Sequence, residues 1–324
     1  MKICLYGAGA VGGLIGARIA ASGRTLSVVA RGATLHALQR DGLGLETHDS
    51  RFFYPVHAVA DPAELGPQDL VIIAVKQPAL SAVAQAMGPL IGPQTKVMTA
   101  MNGVPWWFFD GLPGPLADTR LHSVDPFGTL RSLIPTKHVI GCVVHIACAA
   151  TTPGISQHRM GNGLVIGDAV GPTSPATRAV GEMLRDAGFE LTLSDCIQRD
   201  IWFKLWGNMT MNPVSALTGA TSDRILDDAL VEAFCVRIME EAAEVGKRIG
   251  CPIAQSPAER NAVTRKLGAM KTSMLQDVEA GRALEIDALL GAVHEIAGKA
   301  GVPTPNIDAL LGLVRLFARE RGLG

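Results

Sequence analysis

With 324 residues, 48% of them hydrophobic and 18% charged, the chain exceeds one typical domain and is too apolar to be disordered. A net charge of −1, with basic residues scattered along the sequence, argues against a nucleic-acid or anionic-membrane partner. The longest apolar runs, such as residues 70–75, are far too short to cross a bilayer. Met1-Lys2-Ile3 leads straight into a strand pattern rather than a signal peptide, so the expected compartment is the cytoplasm. The six cysteines form no C-x-x-C pair and sit mostly among apolar neighbours, which favours buried free thiols. The histidines show no metal spacing, and no metal is expected.

In chain order, residues 2–6 read as a short strand, the run Gly7-Ala8-Gly9-Ala10-Val11-Gly12 follows at once, and residues 13–21 read as an apolar helix. In that order the glycines have distinct tasks. Gly7 permits a tight turn, Gly9 lets backbone approach a pyrophosphate, and Gly12 allows close helix-to-strand packing. The next strand, 25–30, ends in Arg31 where an acidic residue would accept hydrogen bonds from the ribose of NAD. An arginine there suits the 2′-phosphate of NADP, and Lys76, just after the strand pattern 69–75, offers a second cation. Both are also compatible with ordinary solvated strand ends.

Residues 33–40 look helical, 44–58 hold two short strand patterns, and 77–90 read as a helix. Residues 95–101 form a further strand, with Asn102-Gly103 just beyond its end, placed to touch nicotinamide and substrate or merely to make a turn. The aromatic and proline-rich stretch 104–136 reads as either a lid or a packed loop. Segments 138–150, 154–159 and 163–166 look like β structure, and 174–187 like a helix. After Leu193 strand patterns disappear. The expected fold is therefore α/β: an N-terminal Rossmann-like, doubly wound domain over 1–194 and an all-α domain over 195–324. Within the second, residues 226–249 read as one helix, and Asn212-Pro213 is expected to kink or end the first long helix, with Asn212 as an N-cap.

Between Asp200 and Asp223 the only charged side chain is Lys204. Lys204, Asn208 and Asn212 are spaced i, i+4, i+8, so on a helix successive members are rotated by only about 40° and share one stripe. One ammonium and two amides suit a substrate whose oxygen becomes negative during reaction. The competing reading is a lysine whose head reaches water beside two ordinary helix amides.

The sequence resembles the ketopantoate reductase (2-dehydropantoate 2-reductase) family over nearly its whole length. The resemblance rests on the glycine run 7–12, Lys76, Asn102-Gly103, Lys204-x-x-x-Asn208-x-x-x-Asn212-Pro213, and Ser273-Met274-Leu275-Gln276-Asp277 continuing to Gly281-Arg282-x-x-Glu285-Ile286-Asp287. It implies NADPH-dependent reduction of the 2-oxo acid ketopantoate to pantoate, in pantothenate biosynthesis. Lys204 would be the catalytic acid, Asn102, Asn208, Asn212 and Ser273 substrate contacts, and Glu285 a catalytic partner that orients Lys204 and also meets the cofactor. The cofactor set would comprise Gly7, Ala8, Gly9, Ala10, Val11, Gly12, Arg31, Lys76, Asn102 and Glu285. The expected partner is a small-molecule 2-oxo acid, with a homodimer as an open assembly. Two positions depart from the family: Met270 and Ser222 stand where asparagines are expected, which leaves a related 2-oxo or 2-hydroxy acid as an alternative substrate. A nucleotide-binding regulator without catalysis is the third reading.

Overall fold

The computed structural model describes residues 1–324 and divides into two compact units. The first comprises Met1–Met101 and Thr129–Ile197, and the second Asn102–Gly128 and Gln198–Gly324. The expected boundary near Ser194 lies close to one of these junctions. The segment 102–128 departs from the expectation, because it groups with the helical unit.

The first unit opens as β1 (Ile3–Tyr6), α1 (Ala10–Ala21), β2 (Leu26–Val29) and α2 (Gly32–Asp41). Three short strands follow where two were expected: β3 (Leu43–Glu46), β4 (Arg51–Tyr54) and β5 (His57–Val59). Then come β6 (Leu70–Ile73), α3 (Gln77–Ala86), β7 (Lys96–Thr99), α4 (Thr129–Leu133), β8 (Val139–Thr152), β9 (Ile155–Asp168), α5 (Pro175–Asp186) and β10 (Glu190–Leu193). The strands form one ten-stranded sheet in the order β4-β3-β9-β8-β7-β6-β1-β2-β5, with β10 pairing β9. β1 runs parallel to β2 on one side and β6 on the other, so the chain leaves it in both directions, the switch point where open α/β sheets bind ligands. Every residue of β1 and β6 is buried, which explains their unbroken apolar runs. The patterns at 154–159 and 163–166 belong to a single antiparallel partner of β8, with register shifts along the pair and Gly161 at φ +77°. Burial pushes the Cys4 thiol on β1 up to about 12, so it stays protonated.

The helical unit holds α6 (Ile197–Thr218), α7 (Ser222–Asp227), α8 (Ala229–Arg248), α9 (Pro257–Arg265), α10 (Ser273–Glu279), a π-helical turn Asp287–Gly291 that runs into α11 (Ala292–Ala300), and α12 (Pro305–Glu320). The single helix expected over 226–249 is interrupted because the Asp228 side chain accepts the amides of Leu230 and Val231 and starts α8 afresh. α6 neither ends nor restarts at Asn212-Pro213. It continues to Thr218, so Asn212 is an interior residue and not an N-cap. Buried Trp202 and Trp206 line one face of α6, and Trp206 Nε1 donates to the Met239 carbonyl of α8 at 2.7 Å. The stretch 102–128 is packed rather than loose: Trp106, Trp107, Phe108 and Phe109 are buried, with Phe108 6.0 Å from the Trp202 ring. No helix is long and apolar enough to cross a membrane.

Candidate active site

In the first unit, the turn after β1 needs its glycines for different reasons. Gly7 adopts φ +101°, a conformation L side chains rarely take. A Cβ on Gly12 would fall 2.0 Å from the Gly7 carbonyl oxygen and 2.9 Å from the Ala74 methyl, so α1 reaches β1 and β6 only without a side chain there. Gly9 is the N-cap of α1, and a Cβ on it would meet nothing within 4 Å. Open space therefore faces the helix N-terminus, with its unsatisfied amides, as a pyrophosphate requires. Ala8, Ala10 and Val11 complete the turn and the first helical residues.

Arg31, exposed, follows β2 as the N-cap of α2, and Lys76 follows β6 as the N-cap of α3 with its Nζ buried. Because β2 and β6 flank β1, the two cations stand on either side of the glycine turn. Tyr6, the last residue of β1, was not singled out from the sequence. Burial raises its phenol, while the positive charge of Arg31 pulls the other way, which places the two side chains within electrostatic reach. The only hint in the sequence was an aromatic directly before the glycine run.

In the helical unit, Lys204 is half-buried on α6 and donates from Nζ to Asn102 Oδ1 at 2.7 Å. The carbonyl of Ala288 holds the two residues after Asn102: the Val104 amide donates to it at 2.8 Å, and a Cβ on Gly103 would lie 2.5 Å from the same oxygen. Gly103, at φ +82°, is thus the residue that lets the turn dock. Glu285, half-buried, lies three residues before Ala288, at the start of the same chain segment. Asn208 is half-buried one turn along from Lys204, and Asn212, only 6% exposed, donates from Nδ2 to Ser273 Oγ at 3.3 Å. Ser273 is the first residue of α10, after the N-cap Thr272. Two direct contacts therefore join four of the expected site residues, Lys204 to Asn102 and Asn212 to Ser273.

Ser222, which stands where the resemblance leads one to expect an asparagine, is spent on a structural contact. It is fully buried, and both its amide and its hydroxyl donate to the Met270 carbonyl at 3.0 Å. Ser215 Oγ donates to the Ala220 carbonyl at 2.6 Å, so the turn after α6 is fixed before it reaches Ser222. These bonds tie the end of α6 to the loop that delivers Ser273. Sequence reasoning missed this clamp, since a hydroxyl bonded to a carbonyl 48 residues away leaves no local pattern.

The ensemble is an anion cradle in one unit and a lysine with amide and hydroxyl neighbours in the other, the set of groups that a dinucleotide-dependent reductase of a polar substrate uses. Comparison with known proteins agrees. Residues 3–106 match the family profile described as ketopantoate reductase PanE/ApbA, and residues 196–318 match its C-terminal counterpart. A curated 2-dehydropantoate 2-reductase of Mesorhizobium japonicum is 43% identical over 323 residues, 99% of each chain. Among solved structures, a Ralstonia solanacearum MolK2 protein provisionally described as a ketopantoate reductase is 57% identical, with TM-score 0.97 over 100% of this chain and 99% of the other. A PanE/ApbA-family ketopantoate reductase of Ralstonia eutropha JMP134 is 28% identical, with TM-score 0.85 over 99% and 100% of the two chains. The chain belongs to the ketopantoate reductase family.

Proposed function

We propose that the protein reduces 2-dehydropantoate to pantoate with NADPH, with Lys204 as the general acid. The observation that carries this reading is the Lys204–Asn102 hydrogen bond, made in the same unit as the Asn212–Ser273 pair. Bound nicotinamide would supply a hydride to the ketone carbon. As that carbon is reduced, its oxygen gains negative charge and must receive a proton. An ammonium has three donors, and Asn102 Oδ1 takes one of them, which restricts the rotation of the others. From that position the ammonium would both stabilise the developing oxyanion and give it a proton. Asn208, Asn212 and Ser273 offer neutral donors to the remaining oxygens of the substrate, and Glu285 orients the lysine. Gly7 to Gly12 hold the pyrophosphate, and Arg31 with Lys76 takes the 2′-phosphate, favouring NADPH over NADH. A cytoplasmic location belongs to the same proposal, and six cysteines without a disulfide between them accord with it.

The test is cofactor oxidation across a panel of 2-oxo acids, each with NADPH and with NADH. Ketopantoate with NADPH should give the highest kcat/KM. A specific observation favours a second reading, in which another 2-oxo acid is the substrate: the Ser222 hydroxyl is spent on the Met270 carbonyl, and the Met270 side chain is a thioether with no strong donor. Much faster turnover of an acid with an apolar substituent would establish that reading in place of the first.

A further inference from the structure

We propose that Asp287 and Arg315 are positioning residues for Lys204, locking a π-helical turn on which the chain next to Asn102 is anchored. The assignment rests on the reading of Lys204 as the general acid, and every residue it uses lies in the helical unit. In an α-helix the Ala292 amide would donate to the carbonyl four residues back, that of Ala288. Here it donates to the Asp287 carbonyl, five residues back, as the π-helical turn Asp287–Gly291 requires. The Ala288 carbonyl accepts the Val104 amide at 2.8 Å. Gly103 packs against that carbonyl so closely that a Cβ on it would lie 2.5 Å from the oxygen. Asn102 is the next residue back along the chain, and its Oδ1 accepts from Lys204 Nζ at 2.7 Å. A local change of helical register therefore presents the acceptor that anchors the chain beside the lysine's hydrogen-bond partner.

The turn is fixed from α12. Arg315 Nη2 donates to Asp287 Oδ1 at 2.7 Å, so the residue whose carbonyl takes the five-residue bond is held through its side chain as well. Gly291 leaves room for this pair: a Cβ there would fall 2.9 Å from Asp287 Oδ1 and 3.1 Å from Arg315 Nη2. Three residues before Asp287, the Leu284 amide donates to the Leu323 carbonyl at 2.9 Å, and the Leu323 amide donates in turn to the Ala318 carbonyl of α12 at 2.8 Å. The segment 284–287, which includes Glu285, is thus gripped at both ends by α12 and the residues that follow it.

Stability alone does not account for the pair. The Arg315 and Asp287 side chains are 48% and 49% exposed, and ion pairs so placed add little to folding. π-helical geometry is rare and is found frequently at functional sites. A contact of small energetic weight, made at the residue where the helical register changes, sets a position rather than holding the unit together. What it positions, through the Ala288 carbonyl and the Gly103 turn, is the amide oxygen that orients the ammonium.

The experiment measures kcat and KM for the best 2-oxo acid of the panel, with saturating NADPH and with thermal melting alongside. It compares wild type, Arg315→Ala, Asp287→Asn, Gly291→Ala, Asn102→Ala and the double variant Asn102→Ala with Arg315→Ala. Arg315→Ala and Asp287→Asn should each lower kcat about 2- to 5-fold, the scale of one exposed ion pair, while KM moves less and the melting temperature hardly changes. Gly291→Ala, which forces the two side chains apart, should lower kcat in the same direction and serves if either of the others does not fold. In the Asn102→Ala background Arg315→Ala should cause no further fall, because the pair reaches Lys204 only through that residue. A merely structural role would lower kcat by the same factor in both backgrounds. Equal falls with and without Asn102, or undiminished kcat in Arg315→Ala, Asp287→Asn and Gly291→Ala, overturn this assignment and leave Lys204 as the acid. A Lys204→Ala variant as active as wild type overturns the functional reading, and this assignment with it.

Discussion

Lys204 is the only charge in the apolar stretch between Asp200 and Asp223, and in the proposed reaction it is the group that protonates the ketone oxygen. On that proposal, removing it leaves the hydride acceptor without a proton source or a counter-charge. Lys204→Ala should lower kcat on the order of 10²- to 10³-fold, by analogy with other preorganised donors. Lys204→Arg should not rescue it, because a guanidinium keeps the charge but does not give up its proton. Steady-state rates with saturating NADPH read both, and near-normal turnover in Lys204→Arg would show that the lysine acts only through its charge. Arg31 is a separate case, exposed and close enough to act on Tyr6. Arg31→Ala should raise KM for NADPH roughly tenfold, the scale of one charge-assisted contact, while KM for NADH stays nearly constant. An equal effect on the two cofactors would remove Arg31 from the 2′-phosphate.

At the scale of elements, the glycine turn and the clamp around Met270 fail in different ways. Gly12→Ala places a methyl 2.0 Å from a backbone carbonyl that cannot swing aside, so α1 must move off β1 and β6. The expected result is a loss of about 1–3 kcal/mol of stability together with NADPH binding, read by thermal melting and cofactor titration. Ser222→Ala removes one of two bonds to the Met270 carbonyl and should raise substrate KM more than it changes kcat, with cofactor affinity untouched. The glycine turn was legible in the sequence because its requirement is local: a strand, a left-handed glycine and a helix follow one another within six residues. The stripe Lys204, Asn208, Asn212 was legible because helical periodicity alone aligns it. Of the two outcomes expected at Asn212-Pro213, a kink or an end, the end does not occur. Proline forbids one intrahelical hydrogen bond, but the buried apolar face of α6 around Trp202 and Trp206 carries the helix past Pro213 to Thr218. The Lys204–Asn102 and Ser222–Met270 pairings were opaque for one shared reason. Each joins residues more than forty positions apart in sequence, and such pairings leave no period to read.

On the scale of the whole molecule, the chain passes from the first unit to the second at residue 102, returns at 129 and leaves again at 198, so the helical unit is assembled from two separated pieces. Joining 102–128 to the C-terminal helices closes long loops, 102 residues for Asn102–Lys204 and 173 for His122–Glu295, an entropic cost that specific contacts must offset. One such contact is the Glu295 carboxylate on α11, which accepts the amides of His122 at 2.9 Å and Ser123 at 2.8 Å. Burial acts to raise this carboxyl, but the Ser123 and His122 amides outweigh it, and its pKa is lowered overall. A carboxyl whose folded pKa lies below its unfolded value adds stability above the unfolded value and loses it as pH falls through the folded one. The contribution is therefore present at neutral pH and disappears below the ordinary glutamate range of about 4.3. Glu295→Gln still fills the space but offers only one weaker acceptor. It should melt at a lower temperature than wild type near pH 7, and the difference should shrink steadily as pH is lowered from about 5 toward 3. Limited proteolysis should show earlier cleavage within 110–128 in the variant at neutral pH, because those residues lose their tie to α11 before the rest of the unit opens. Melting curves that stay parallel across the whole pH range would mean that Glu295 does not anchor the inserted segment, and that the buried aromatic run Trp106 to Phe109 holds it alone.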